Sequence, residues 1–251
     1  MDSIRLTRGE KIGILIAALL SASAGAVDII AYLEFDHVFV ANMTGNTVLF
    51  ANDLVGADFA KAVTHLLPVI TFLAGVVTAR IWLAQIGRSD STRLGLCLTL
   101  ISGLWIIVAV LIPNLGGILI PVLAFSMGAQ NATFPEIDKI PVNTAFITGN
   151  LAKLGETVAS MFRKPADRDE RLKLLAFGSI WTAYAFGAAI GALAARQFGR
   201  HSLVVPASIL CISAALVFVS AKKKIAAKCR LPPSSHIPLL TAIRLGAGQR
   251  F

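Results

Sequence analysis

The stretch "FVANMTGNTVLF" (39–50) decides how the chain is read. It sets Asn42, Thr44, Gly45, Asn46 and Thr47 inside an otherwise apolar run, and its core returns as "AFITGNLAKLG" at 145–155. A polar Thr-Gly-Asn tripeptide kept twice in so apolar a chain needs a reason. Glycine lets a backbone approach closely or leave a helix. Threonine and asparagine then supply donors and acceptors for freed backbone groups or for a solute. At membrane depth such irregular backbone survives only where protein buries it or where it lines a wet cavity.

The surroundings set the class. Of 251 residues, 56% are hydrophobic and 15% charged, against about a quarter charged in a soluble domain. Mean hydropathy is +0.75. Windows of roughly 20 apolar residues, the length that crosses ~30 Å of hydrocarbon, recur along the chain. The fold class expected is an all-α integral membrane protein. Six stretches read firmly as transmembrane helices, at about 12–34, 62–85, 93–112, 115–134, 173–196 and 203–221. Two weaker ones, at about 37–55 and 142–162, centre on Thr-Gly-Asn, which gives six to eight spans. The N-terminal run imitates a signal peptide, but it continues through "VDIIAYL" and is read as an uncleaved first helix.

Working outward from the tripeptides exposes a repeat. Gly25-Ala26-Val27-Asp28 answers Gly128-Ala129-Gln130-Asn131, and Thr44-Gly45-Asn46 answers Thr148-Gly149-Asn150, at offsets of 103 and 104. Each copy is followed by a helix with small residues four apart, Gly75/Ala79 and Gly187/Gly191. The organisation expected is a cytoplasmic N-terminus (1–11), two homologous membrane halves (12–112 and 115–221) and a basic cytoplasmic tail (222–251). If the Thr-Gly-Asn segments do not cross, the halves have three spans each and are inverted; if they cross, the halves have four and are parallel. The Lys and Arg pattern leans toward six crossings.

The net charge of +9 does not point to nucleic acid. Basic residues flank apolar spans, as cytoplasmic Lys and Arg do, and no basic face with stacking aromatics appears. "KKKIAAKCR" (222–230) reads as a juxtamembrane contact for anionic lipid. Three cysteines without Cys-x-x-Cys spacing indicate neither a disulfide framework nor a zinc site, and no metal or cofactor is expected. Gly-x-Ser-x-Gly, His-Glu-x-x-His and phosphate-loop patterns are absent, so the chain is not read as an enzyme.

A Gly-x-x-Asp first helix, then "VFVANMTGN", then a second-half "TGNL", resembles the YoaK family of bacterial inner-membrane proteins over about 15–221. The resemblance implies a multi-helix membrane protein and no particular reaction.

Asp28 leads the candidate residues, because a carboxylate in a membrane helix is costly and stays in the interior or a wet cavity. It reads either as a cation or proton site or as a hydrogen-bonded lock between helices. Asn42, Thr44, Asn46, Thr148 and Asn150 line a site in one reading and glue helices in the other. Gln130 and Asn131 hold the second-half places of Val27 and Asp28, so a symmetric pair there carries one charge, suited to a monovalent cation or a proton. His65 reads as a packing residue and Arg80 as a snorkelling one. The function expected is a small-solute transporter or channel-like protein. The rival is a structural or regulatory membrane protein, and oligomeric state is left open.

Overall fold

The computed structural model describes residues 6–85, 97, 98, 100, 101, 103–105, 107, 116–133, 136, 137, 140–163 and 165–230. Helix α1 (Arg8–Glu34) begins at a capping box: the Thr7 hydroxyl accepts from the Glu10 amide and the Glu10 carboxylate accepts from the Thr7 amide. Two orphan donors of the first turn are satisfied reciprocally. Helix α2 (Met43–Val55) and helix α3 (Phe59–Gln85) follow. After a short 3-10 turn at Gly116–Ile118 come α4 (Leu119–Thr133) and a two-residue antiparallel pairing of β1 (Glu136–Ile137) with β2 (Ile140–Pro141). Helix α5 (Ile147–Met161), helix α6 (Arg168–Phe198) and helix α7 (Val204–Arg230) complete the order. Asp167 and Glu170 cap α6 as Thr7 and Glu10 cap α1. Positions 97–107, where described, are helical; the rest of the expected 93–112 span and the tail beyond Arg230 lie outside the described residues.

Three stretches among the described residues are long and apolar enough to cross a membrane: Arg8–Glu34, Phe59–Gln85 and Arg168–Ser220. The third holds two helices. Gly199 sits at φ 53°, a region open mainly to glycine, and the chain turns back through a 3-10 segment, Gly199–Leu203. The position of a Gly199 Cβ lies beside Glu34, whereas the Ser23 hydroxyl reaches the Pro206 carbonyl at 3.2 Å. Helix α7 therefore runs back along α1. Helix α3 exposes Val63, Ile70, Leu73, Val77 and Ile81, an apolar face suited to lipid rather than water.

The core forms where α1 packs on α6 and α3 packs on α4. Helices α1 and α6 run parallel, since Glu10 pairs with Arg168 at 2.6 Å, the Ser21 hydroxyl donates to the Ile180 carbonyl and Tyr184 reaches Asp28. The backbones touch. A Cβ on Gly25 would stand 2.2 Å from the Tyr184 carbonyl oxygen, and one on Gly187 would stand 2.0 Å from that of Ala22. The other crossing repeats the geometry: a Cβ on Gly128 would stand 2.0 Å from the Phe72 carbonyl oxygen, and one on Gly75 the same distance from that of Phe125. Residues 72 and 184, like 22 and 125, hold corresponding places under the offsets that relate the small-residue pairs and the Gly-Ala motifs. Close approach at small residues is how helices associate where burial from water provides no drive.

Both weak segments differ from expectation. Helix α2 starts at Met43 and α5 at Ile147, so Thr-Gly-Asn occupies a first turn and not a helix centre. Before each helix the backbone is non-helical. At 13 and 15 residues the helices are about 20 Å long, short of the ~30 Å hydrocarbon thickness.

Replacing Gly187 or Gly128 by alanine should lower the thermal midpoint of the detergent-solubilised protein, because carbonyl oxygens of another helix already fill the Cβ position. Gly178, with open space around it, is the control. Its alanine variant should be neutral or gain up to ~1 kcal/mol from helix propensity. Equal loss in all three variants would refute the close-crossing account.

Candidate functional site

The site is built on a turn that cannot be helical. Helix α1 ends at Glu34, and Asp36 and His37 take φ of 51° and 59°, a region Asp and His enter more readily than most residues. The chain doubles back so that Phe39 stacks on Tyr32, ring centroids 5.1 Å apart. Residues 40–42 then pass alongside Asp28. Their amides cannot join a helix ladder, so they need acceptors.

Asp28 supplies them. Its Oδ1 accepts from the amides of Val40 at 2.9 Å, Ala41 at 2.6 Å and Asn42 at 3.3 Å. Its Oδ2 accepts from the Tyr184 hydroxyl at 2.7 Å. The residue is 2% exposed. Its side-chain partner is Tyr184 of α6, and the carboxylate ties three parts of the chain together.

The tripeptide divides its tasks. Thr44 faces outward from the first turn of α2. Gly45 makes room, because a Cβ there would stand 2.9 Å from two ring carbons of Phe39. Asn46, fully buried, brackets the Phe39 backbone: its Nδ2 donates to the Phe39 carbonyl at 2.6 Å and its Oδ1 accepts from the Phe39 amide at 2.9 Å. Asn42 caps the helix by accepting from the Gly45 amide at 3.2 Å.

The second copy reaches the same end with parts exchanged. Asn150 donates to the Asn143 carbonyl, as Asn46 does to that of Phe39. A Cβ on Gly149 would collide with a phenylalanine ring, now that of Phe146. The Asn143 side chain accepts from the amides of Ala145 and Phe146 at 3.0 and 2.7 Å. Phenylalanine precedes asparagine in the first copy (39, 42) and follows it in the second (143, 146). With Asn143 satisfying the loop amides locally, no carboxylate is required at 131. Asn131 leaves its Oδ1 buried and unpaired among the described residues, as do Gln130 with Oε1 and Thr144 with Oγ1. The Gln130 Nε2 donates to the Leu20 carbonyl at 3.3 Å.

Thr44 and Thr148, the matching residues of the two tripeptides, line one cleft. It has a volume of about 530 Å³ and is bounded by Tyr32, Phe39, Asn42, Thr44, Gly45, Val48, Leu49 and Thr148. Three of the eight candidate residues, Asn42, Thr44 and Thr148, therefore meet at the cleft. Asp28 and Asn46 brace its wall from behind, Asn150 does the same for the second segment, and Gln130 and Asn131 are not among its lining residues.

His65 is no lone packing residue. Its Nδ1 lies 2.6 Å from Asp53 Oδ2, joining α3 to the last turn of α2. Sequence reasoning missed Asp53. The signal was a carboxylate in an apolar helix twelve residues before a histidine, with a tight turn between them.

Replacing Asp28 by alanine should strand buried amide donors at ~1–3 kcal/mol each and prevent recovery of folded protein. Asp28→Asn keeps one carbonyl oxygen for those amides and should remain folded, with a modestly changed thermal midpoint. Comparable loss in both variants would show that charge, and not the acceptor oxygen, holds the turn.

Comparison with known proteins agrees with the helical membrane architecture. Residues 16–216 match the family described as "Protein of unknown function (DUF1275)". The chain is 30% identical over 202 residues to "UPF0700 transmembrane protein YoaK" of Bacillus subtilis, covering 75% of this chain and 87% of that protein. It is 27% identical over 214 residues to "UPF0700 transmembrane protein RA0705" of Rhizobium meliloti, covering 83% and 88% respectively. No solved structure matches it. With most of its length matched and transmembrane relatives on both counts, the chain belongs to the DUF1275 family, the YoaK-like transmembrane proteins.

Proposed function

We propose that this is a small-solute transporter or channel-like protein of the bacterial inner membrane, and not an enzyme, with its solute path at the cleft between the Thr-Gly-Asn segments. One observation carries the reading: equivalent threonines from two copies of a motif, 104 residues apart, line the same cleft. Two broken elements facing one cavity are how several transporters build a central site. Among the described residues the lining offers two threonines, a tyrosine, a carboxamide and a phenylalanine ring, with no carboxylate, ammonium or guanidinium group. Such a lining suits a small polar solute that is neutral or singly charged. Asp28, with both oxygens engaged, serves as the anchor of the wall and not as the coupling site.

The reading includes a topology. Lys61, in the first turn of α3, lies within electrostatic reach of Asp36, in the turn that ends α1. Had residues 37–55 crossed the bilayer, ~30 Å of hydrocarbon would separate those charges. In this reading the first Thr-Gly-Asn segment dips in and returns on one side, and by the repeat the second does so from the other. Each half then has three spans, the halves are inverted, and the N-terminus and basic tail lie in the cytoplasm, the tail against anionic lipid.

The rival, a structural membrane protein without transport, draws support from how completely Asp28 and Asn46 are satisfied within the protein. Uptake by reconstituted protein against a panel of small polar solutes separates the two. Thr44→Val and Thr148→Val should each lower uptake at least tenfold without altering the thermal midpoint, because both side chains face outward. A panel that yields no uptake, or uptake indifferent to both substitutions, would favour the rival. Single cysteines at Asp36 and Asp58, in a background lacking the native ones, should both react with an impermeant maleimide from the same face of intact cells. Labelling from opposite faces would replace the inverted arrangement by a parallel one.

A further inference from the structure

Buried ionisable groups inside a membrane bundle call for an account, and the Asp53–His65 pair has none in the solute path. Asp53 is 9% exposed and His65 5% exposed. The 2.6 Å contact between Asp53 Oδ2 and His65 Nδ1 uses one ring nitrogen. The other, Nε2, is buried and has no hydrogen-bond partner among the described residues. At the positions matching Asp53 and His65 in the second half stand Thr157 and Phe177. The second half thus holds its short helix against its neighbour without a carboxylate–imidazole pair. There Thr157 donates to the Lys153 carbonyl and Lys153 lies over the Phe177 ring.

We propose that Asp53 and His65 form a proton-binding site of this protein, with Nε2 of His65 as the atom that takes up the proton. In the unloaded state the imidazole is neutral, Nδ1–H donates to the Asp53 carboxylate, and the Nε2 lone pair is free. Loading forms an N–H bond at Nε2 and breaks an O–H bond of a hydronium ion, leaving water and an imidazolium paired with a carboxylate. A buried imidazolium is tolerable because that charge stands against it. Among the described residues of the packed helices, the neighbouring cation is Lys61. On α2, Asp53 is the only ionisable group; on α3 they are Lys61, His65 and Arg80; α4, which packs against α3, has none. Lys61 is already 2.9 Å from Asp58 and also senses Asp53 and Asp36. His37 adjoins Asp36 in the preceding turn and meets the Tyr32 ring edge to face, 4.8 Å between centroids. Asp53 closes the same short helix whose first turn lines the cleft, so the proton site and the cleft share one rigid element.

The test is nitrogen NMR of full-length protein in lipid nanodiscs with ¹⁵N-labelled histidine, followed from about pH 4 to pH 9. Only four histidines are present. The His65 signals are assigned by their loss in His65→Gln, or by elimination with the other three replaced in turn should that variant not fold. One imidazole should keep a protonated Nδ1 throughout while Nε2 changes from unprotonated to protonated as pH falls. In Asp53→Asn the fixed Nδ1 tautomer should be lost, and the step should move to lower pH. A His65 ring that holds one protonation state across the range overturns the site, and so does a step unchanged by Asp53→Asn. The measurement needs no solute and is independent of whether transport is found.

Discussion

Three backbone amides, those of Val40, Ala41 and Asn42, set the terms for the first half of this protein. They lie in a non-helical stretch of an apolar chain, where an unpaired donor is too costly to leave. Asp28 accepts from all three and from Tyr184 as well. Because those donors belong to the loop and to α6, one carboxylate fixes the re-entry of the chain, the start of α2 and the register of α1 against α6. The expense of a carboxyl group within a membrane helix is offset by the four hydrogen bonds it accepts.

Glycine sets the second constraint. The α1–α6 and α3–α4 crossings bring backbone carbonyls to the place where a side chain would begin. This contact leaves no slack, so a helix that slides by one residue collides. The Glu10–Arg168 pair at the start of α1 and α6 and the Asp28–Tyr184 bond further along hold the same register at two more heights. The cleft lies where this rigid frame meets the two short helices, whose outward faces are free of such packing.

The second half solves the same loop problem without a carboxylate, which explains its different sequence. Asn143 accepts from the loop amides, and Phe146 covers the glycine that Phe39 covers in the first half. Phenylalanine and asparagine have exchanged places while their tasks persist. Around the two loops the longest shared run is Thr-Gly-Asn, because the tripeptide holds the three tasks that cannot be moved: a side chain at the cleft, room for a ring, and a bracket on the backbone. Asn131 can then differ from Asp28 because the donors that Asp28 serves have another acceptor.

Helix existence was legible because hydrocarbon thickness demands long apolar runs, and α1, α3, α6 and α7 coincide with such runs. Their starts were less so: the capping boxes Thr7–Glu10 and Asp167–Glu170 carry α1 to Arg8 and α6 to Arg168, ahead of the apolar windows. Composition, class and the paired motifs belong to the sequence alone, since each rests on local pattern. The break before α2 and before α5, the partners of Asp28, the Asp53–His65 pair and the meeting of Thr44 with Thr148 were decided by tertiary structure. The reason is physical. Hydropathy records what a residue avoids, whereas a buried polar group is placed by the donor or acceptor it finds, and here that partner stands up to 183 residues away.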